Sequence, residues 1–299
     1  MSRSSGESLA VVAVHGVGYR DARATAEQVR AGHIQSWTRH LAKGMGIETA
    51  RLSLDFAYYA PLLHPGPTVQ GPQDTEELND PLANELMAAW LTELGAPRPV
   101  AQGVLTMPLR FAASWVAERF SLDGRLTELF VRVFFREVAT YLADVDSPAR
   151  AAVREEVAAC IARHRPRVVL AHSLGTVVTY ETLHAHPELQ VELLVTMGSP
   201  LALPHGVFDR LVPNPTGAPS ARFGVRPAGV ARWVNIADPG DPVAIPPRLA
   251  RAFTGISEDL TDPIHPAFGF HHAKNYLSCK ATAAILTPYL RSHLIWRGR

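Results

Sequence analysis

The sequence predicts an α/β protein with a mainly parallel central sheet and helices on both faces. Three observations predict it. Apolar runs of strand length recur at 9–14, 167–171, 191–197 and 231–237, and continuous rather than alternating apolarity suits parallel strands covered on both sides. Helical periodicity fills much of the chain between them, and strands that alternate with helices imply βαβ crossovers. Each run also closes in a short segment rich in Gly, Ser, His or Asp, as expected where a parallel sheet presents its carboxyl edge to a ligand.

Composition fits a single domain over 1–299. Hydrophobic residues make up 47% and charged residues 19% of the chain, which allows a sizeable core. A formal net charge of +1 gives no electrostatic reason to expect nucleic acid. The two cysteines, Cys160 and Cys279, form neither a metal spacing nor a disulfide framework. No run approaches the ~18 apolar residues of a membrane span. The first residues lack the apolar region and cleavage site of a signal peptide. The expected location is therefore cytoplasmic, with the oligomeric state left open.

Along the chain, 9–14 is the first strand and ends in His15-Gly16-Val17-Gly18. Residues 25–45 read as a helix with Val29, Ile34, Trp37 and Leu41 on one side, and 50–60 as a second strand that Pro61 ends. Residues 65–81 are rich in Pro and Gly and read as loop. From 80 to about 145 the pattern is helical throughout. Leu126, Leu129, Phe130, Val133, Phe134, Val138 and Tyr141 fall on one face. This insert either packs on the domain or forms a cap or lid over an acyl-binding pocket. Ser147 and Pro148 start the next helix. It feeds the strand 167–171, a helix over 174–184 and the strand 191–197. Residues 204–229 read as loop and 245–269 as irregular. A last helix spans 276–286.

The chemistry centres on Ala171-His172-Ser173-Leu174-Gly175, where a buried strand turns sharply into a helix. Such a turn lifts a serine to the sheet edge, with small residues two before and two after it. A serine hydroxyl needs a base within hydrogen-bond reach to act as nucleophile. Attack on a carbonyl develops an oxyanion, which two N–H groups can hold. Leu174 supplies one candidate donor and Val17, in the glycine loop, the other. His15, Gly16, His172 and Ser199 follow strand ends nearby and are candidate substrate contacts. The segment 238–244 carries two aspartates, Asp241 and, as the alternative, Asp238, which could instead cap the turn. His271 and His272 precede the final helix, with His265 a weaker candidate base. Adjacent histidines lack chelating spacing, so no metal is expected, and nothing calls for a cofactor.

Ser173, Asp241 and His271 reproduce the nucleophile–acid–histidine order of the α/β-hydrolase superfamily. The segments 15–18, 171–175, 197–201 and 235–243 resemble stretches of its lipase/esterase branch. Phe270-His-His-Ala-Lys-Asn-Tyr-Leu277 is similar to a His-x4-Tyr-Leu pattern of that branch, and this match favours His271 over His272. Ala171 stands where the elbow usually has glycine. The resemblance covers about 9–286 except the insert. It implies an α/β-hydrolase fold and a serine esterase acting on a small acyl or ester substrate. An acyltransferase, thioesterase or peptidase with the same residues is the alternative. A non-catalytic binding protein on this fold is the remaining one.

Overall fold

The computed structural model describes residues 8–63, 80–97, 109–218, 221–265 and 271–291. The loop expected at 65–81 lies almost entirely outside them, as do residues 98–108 of the insert and Phe270. Six parallel strands form the central sheet: β1 (Leu9–Val14), β2 (Leu52–Ala57), β3 (Val168–His172), β4 (Val191–Met197), β7 (Val230–Ala237) and β9 (Glu258–Thr261). Their order is β2-β1-β3-β4-β7-β9. A small second sheet joins β5 (Thr216–Ala218), β6 (Ala221–Val225) and β8 (Phe253–Thr254).

Alternation along each strand divides the core in two. Leu9, Val11, Ala13, Val168, Leu170, Leu193 and Val195 face one layer, with helices α1 (Ala26–Met45), α7 (Ala273–Ser278) and α8 (Lys280–Arg291). Val12, Val14, Val169, Ala171 and Leu194 face the other. That layer holds α2 (Pro81–Glu93), α3 (Leu109–Phe120), α4 (Gly124–Leu142), α5 (Pro148–His164) and α6 (Leu174–Ala185). Strands buried on both faces explain the unbroken apolar runs.

The chain winds outward from β1 to β2, then returns to lay β3 on the other side of β1. The switch point therefore lies between β1 and β3, where open α/β sheets leave a crevice. The register levels the carboxyl ends there: Val14 pairs with Ala171, His172 with Met197, and Met197 with Ile236.

Several expectations change. The region read as irregular at 245–269 contains β9, an edge strand whose Glu-Asp-Leu-Thr sequence carries no apolar run. The loop at 204–229 contains β5 and β6. The last helix is two helices that meet at Cys279, whose backbone is extended. In α4, Leu126 and Leu129 are 63% and 57% exposed rather than buried. Phe134, Val138 and Tyr141 of the expected face are buried, and burial extends to Val131 and Phe135 because α2 and α3 both pack on this helix and widen its buried face. Among the described residues, no helix is long and apolar enough to cross a membrane.

Candidate active site

β3 delivers Ser173 at its carboxyl end in a conformation that side chains rarely adopt, φ 56° and ψ −131°. Ser173 occupies the N-cap position of α6, yet its side chain caps nothing. Its N–H donates to the Met197 carbonyl at 3.0 Å, and its own carbonyl accepts from Thr176 N–H (2.9 Å) and Thr176 Oγ1 (2.7 Å). The backbone is thus held from both sides, while Oγ is buried and has no hydrogen-bond partner among the described residues.

Two glycines make room for this turn. A Cβ on Gly175 would stand 2.3 Å from the His15 carbonyl oxygen and 2.7 Å from that of Val14. A Cβ on Gly16 would stand 2.4 Å from Ser173 Cβ and 2.9 Å from its Oγ. The glycine loop therefore crosses directly over the serine, next to Leu174, the first residue of α6. Val17 of that loop packs half-buried on the core.

His15 secures the loop from beneath. Its Nδ1 donates to the Gly16 carbonyl at 2.7 Å, and its Nε2 accepts from Tyr59 N–H at 3.2 Å. Tyr59 returns its hydroxyl to the His15 carbonyl at 2.6 Å and stacks on the imidazole with centroids 4.0 Å apart. Burial lowers the His15 pKa to about 3, so the ring is neutral. Both nitrogens are spent on backbone, which makes His15 a support of the loop rather than a ligand contact.

Asp241 and His271 meet beyond β7. His271 Nδ1 lies 2.8 Å and 3.0 Å from the two Asp241 oxygens. Asp241 also accepts from Tyr276 Oη (2.7 Å) and Val243 N–H (2.9 Å). Burial pushes its pKa up, but His271 by charge and hydrogen bond, then Tyr276 and Val243, overcome this and hold the carboxyl below the usual carboxylate range. With Nδ1 donating to a carboxylate, Nε2 of His271 is free to accept a proton. It is buried and has no partner among the described residues. The His172 ring lies 4.6 Å from that of His271, which brings the histidine to the residue preceding Ser173. Burial, then the charge of His271, pushes the His172 pKa well down.

Gly198 closes the group. Its φ is +56°, and a Cβ there would stand 2.9 Å from Asp241 Oδ2 and 3.2 Å from His271 Cε1. Only glycine satisfies both conditions. Ser199 beside it is buried, shares a 2.8 Å hydrogen bond with Thr176 Oγ1 and accepts from Leu201 N–H. Its hydroxyl braces β4 against α6 instead of facing a ligand.

The remaining alternatives separate cleanly. Asp238 binds His265, with Nδ1 to Oδ2 at 2.6 Å. His272 is exposed and lines a cavity of about 220 Å³ with Tyr19, His33, Trp37, His40 and Lys274. Of the histidines near the C-terminus, His271 alone combines the Asp241 contact with a free buried nitrogen.

The insert touches the site at three points. Trp90 Nε1–H of α2 donates to the Pro242 carbonyl beside Asp241. Phe130 and Phe134 of α4 stand edge-on to His271, with ring centroids 5.4 Å and 6.4 Å away. Glu137 of α4, also buried, accepts from Gly18 N–H at 3.1 Å. Glu137 and Tyr276 were not singled out from sequence. A glutamate inside the apolar stripe of α4, one position before Val138, is the signal for the first.

Among the described residues, no group of three His, Cys, Asp or Glu side chains could hold a metal ion. Comparison of the chain with protein-family models, curated proteins and solved structures gives no match.

Proposed function

We propose that this protein is a serine hydrolase of the α/β-hydrolase superfamily that cleaves a carboxylic ester or related acyl bond. One observation carries the reading. Ser173 sits in a strained turn at the switch point with a free hydroxyl, and the ring of the adjoining His172 lies 4.6 Å from that of His271, a buried histidine whose Nδ1 is held by an ionised aspartate.

In this reaction Ser173 Oγ attacks the carbonyl carbon and its proton passes to His271 Nε2. Asp241 fixes the tautomer of His271 and stabilises the imidazolium. The Val17 and Leu174 N–H groups hold the oxyanion. Collapse breaks the C–O bond, and the alcohol leaves with the proton from His271. Water, deprotonated by the same nitrogen, then releases the acid and restores Ser173. The rings of Phe130 and Phe134 give the acyl side an apolar wall, and the buried neutral His172 adds no competing charge.

A fluorophosphonate probe is expected to label the wild type at Ser173 and not Ser173→Ala, and a panel of p-nitrophenyl esters should turn over only with the wild type. Labelling that survives the substitution, or a folded wild type inert to probe and esters alike, overturns the reading.

A further inference from the structure

The turn after β7 carries two aspartates, and only Asp241 serves the proposed reaction. Asp238 is nevertheless buried, and its carboxylate is filled with donors. Oδ1 accepts from Gly240 N–H at 2.7 Å. Oδ2 accepts from Ile264 N–H (2.7 Å), His265 N–H (2.6 Å) and His265 Nδ1 (2.6 Å). On its other side, His265 Nε2 lies 3.2 Å from the backbone N–H of His272. That nitrogen must be the acceptor, so Nδ1 carries the ring proton.

A second carboxylate–imidazole pair therefore stands beside the first. Tyr276 joins them: its hydroxyl accepts from Asp238 N–H at 3.2 Å and donates to Asp241 Oδ2 at 2.7 Å. The two histidines differ in one respect. Nε2 of His271 has no partner among the described residues, whereas Nε2 of His265 is committed to the peptide that follows His271.

His271 needs such an anchor. Its φ is +53°, a conformation that is unfavourable for a residue with a side chain and persists only where its surroundings enforce it.

We propose that His265 is a positioning residue for the base: through the His272 N–H it pins the peptide that follows His271, keeping Nδ1 on Asp241 and Nε2 directed at Ser173. His265 touches no reacting atom and acts through the backbone. The inference rests on the triad reading above.

Two substitutions divide the contacts of His265. Glutamine sets its carbonyl oxygen near the place of Nε2 and can still accept from His272. Asparagine sets its amide near the place of Nδ1 and can still donate to Asp238, but falls short of His272. His265→Asn is expected to lower kcat by roughly 10- to 100-fold with KM nearly unchanged, and His265→Gln by less than about fivefold. Circular dichroism and thermal melts check that both are folded.

The low-field proton resonance of His271 Nδ1–H supplies a second readout that needs no turnover. It should persist in His265→Gln and broaden or vanish in His265→Asn. Wild-type kcat and an intact resonance in His265→Asn overturn the proposal. So does an equal loss in both variants that tracks their melting temperatures, which assigns His265 to stability alone. Failure of the triad reading is separately visible, because Ser173→Ala would then keep its label while the resonance still reported the His271–Asp241 contact.

Discussion

Gly16 offers the most direct perturbation of the proposed site. A methyl there would stand 2.4 Å from Ser173 Cβ, 2.9 Å from Oγ and 3.2 Å from the His172 carbonyl oxygen. Carbon–carbon contacts relax at about 3.5–4.0 Å, so the loop must retreat by about 1 Å. A shift of that size at a reacting centre costs about 10²-fold, and loss of one oxyanion donor costs about 10²- to 10³-fold. Gly16→Ala is therefore expected to lower kcat on a p-nitrophenyl ester by about 10²- to 10³-fold. The accompanying overpacking should remove only about 1–3 kcal/mol of stability, read by urea unfolding. Gly32→Ala is the matched control. Gly32 is exposed within α1, and a Cβ there meets nothing within 4 Å. It should leave kcat unchanged and add about 0.5–1 kcal/mol of stability. A folded Gly16→Ala variant with wild-type kcat would refute both the loop placement and its proposed use.

Three further outcomes follow from the same structure. Glu137→Ala removes the acceptor of Gly18 N–H and should cut kcat by roughly 10- to 100-fold, the value of a hydrogen bond to a charged group; turnover kinetics that match the wild type count against it. Glu181→Ala strands the buried Arg150 guanidinium and also frees Tyr141 Oη–H and Val212 N–H, so unfolding stability should fall by about 3–5 kcal/mol. A urea midpoint that barely moves contradicts this. His15 has a folded pKa of about 3, below its unfolded value of about 6.5, so the unfolded chain takes the proton first. Stability is full above about pH 6.5 and falls as pH drops toward the folded value, with His15 alone removing on the order of 3 kcal/mol by pH 4.5. Unfolding curves across that range, with the His15 proton followed by NMR, test the slope.

The sheet was legible wherever burial on both faces forced apolar runs. β1, β3, β4 and β7 could be placed from their own residues. β9 could not, because an edge strand makes no demand for apolar side chains, and Glu258-Asp259-Leu260-Thr261 looks like any loop. The serine and its glycines were legible for a steric reason: Gly16 and Gly175 occupy places where a Cβ collides with backbone or with Ser173 itself. That Asp241 and His271 belong together was expected from the order of the residues and from the family resemblance, and their side chains meet. Asp238, Asp241, His265, His271 and His272 are close in sequence and alike in chemistry. What the residues alone did not show is that Asp238 takes His265, a contact between positions 27 apart that no helical or strand period specifies. Ser199 and His15 follow strand ends as ligand contacts do, but their polar atoms are consumed by the scaffold.

The docking of α7 on α1 has a consequence for how the molecule is made. Ser278 Oγ donates to the His40 carbonyl, a contact 238 positions apart, and a Cβ on Gly44 of α1 would strike the Ser278 backbone at 2.7 Å. The helix that follows His271 is therefore seated against the first helix of the chain. Contacts of such separation pay their loop-closure entropy before they return any stability. During synthesis, Ser173 and its turn emerge about a hundred residues before the histidine that would serve it. Under the proposed reaction, a ribosome-bound or C-terminally shortened chain carries the serine without its base, and reactivity would report that both ends of the protein have met.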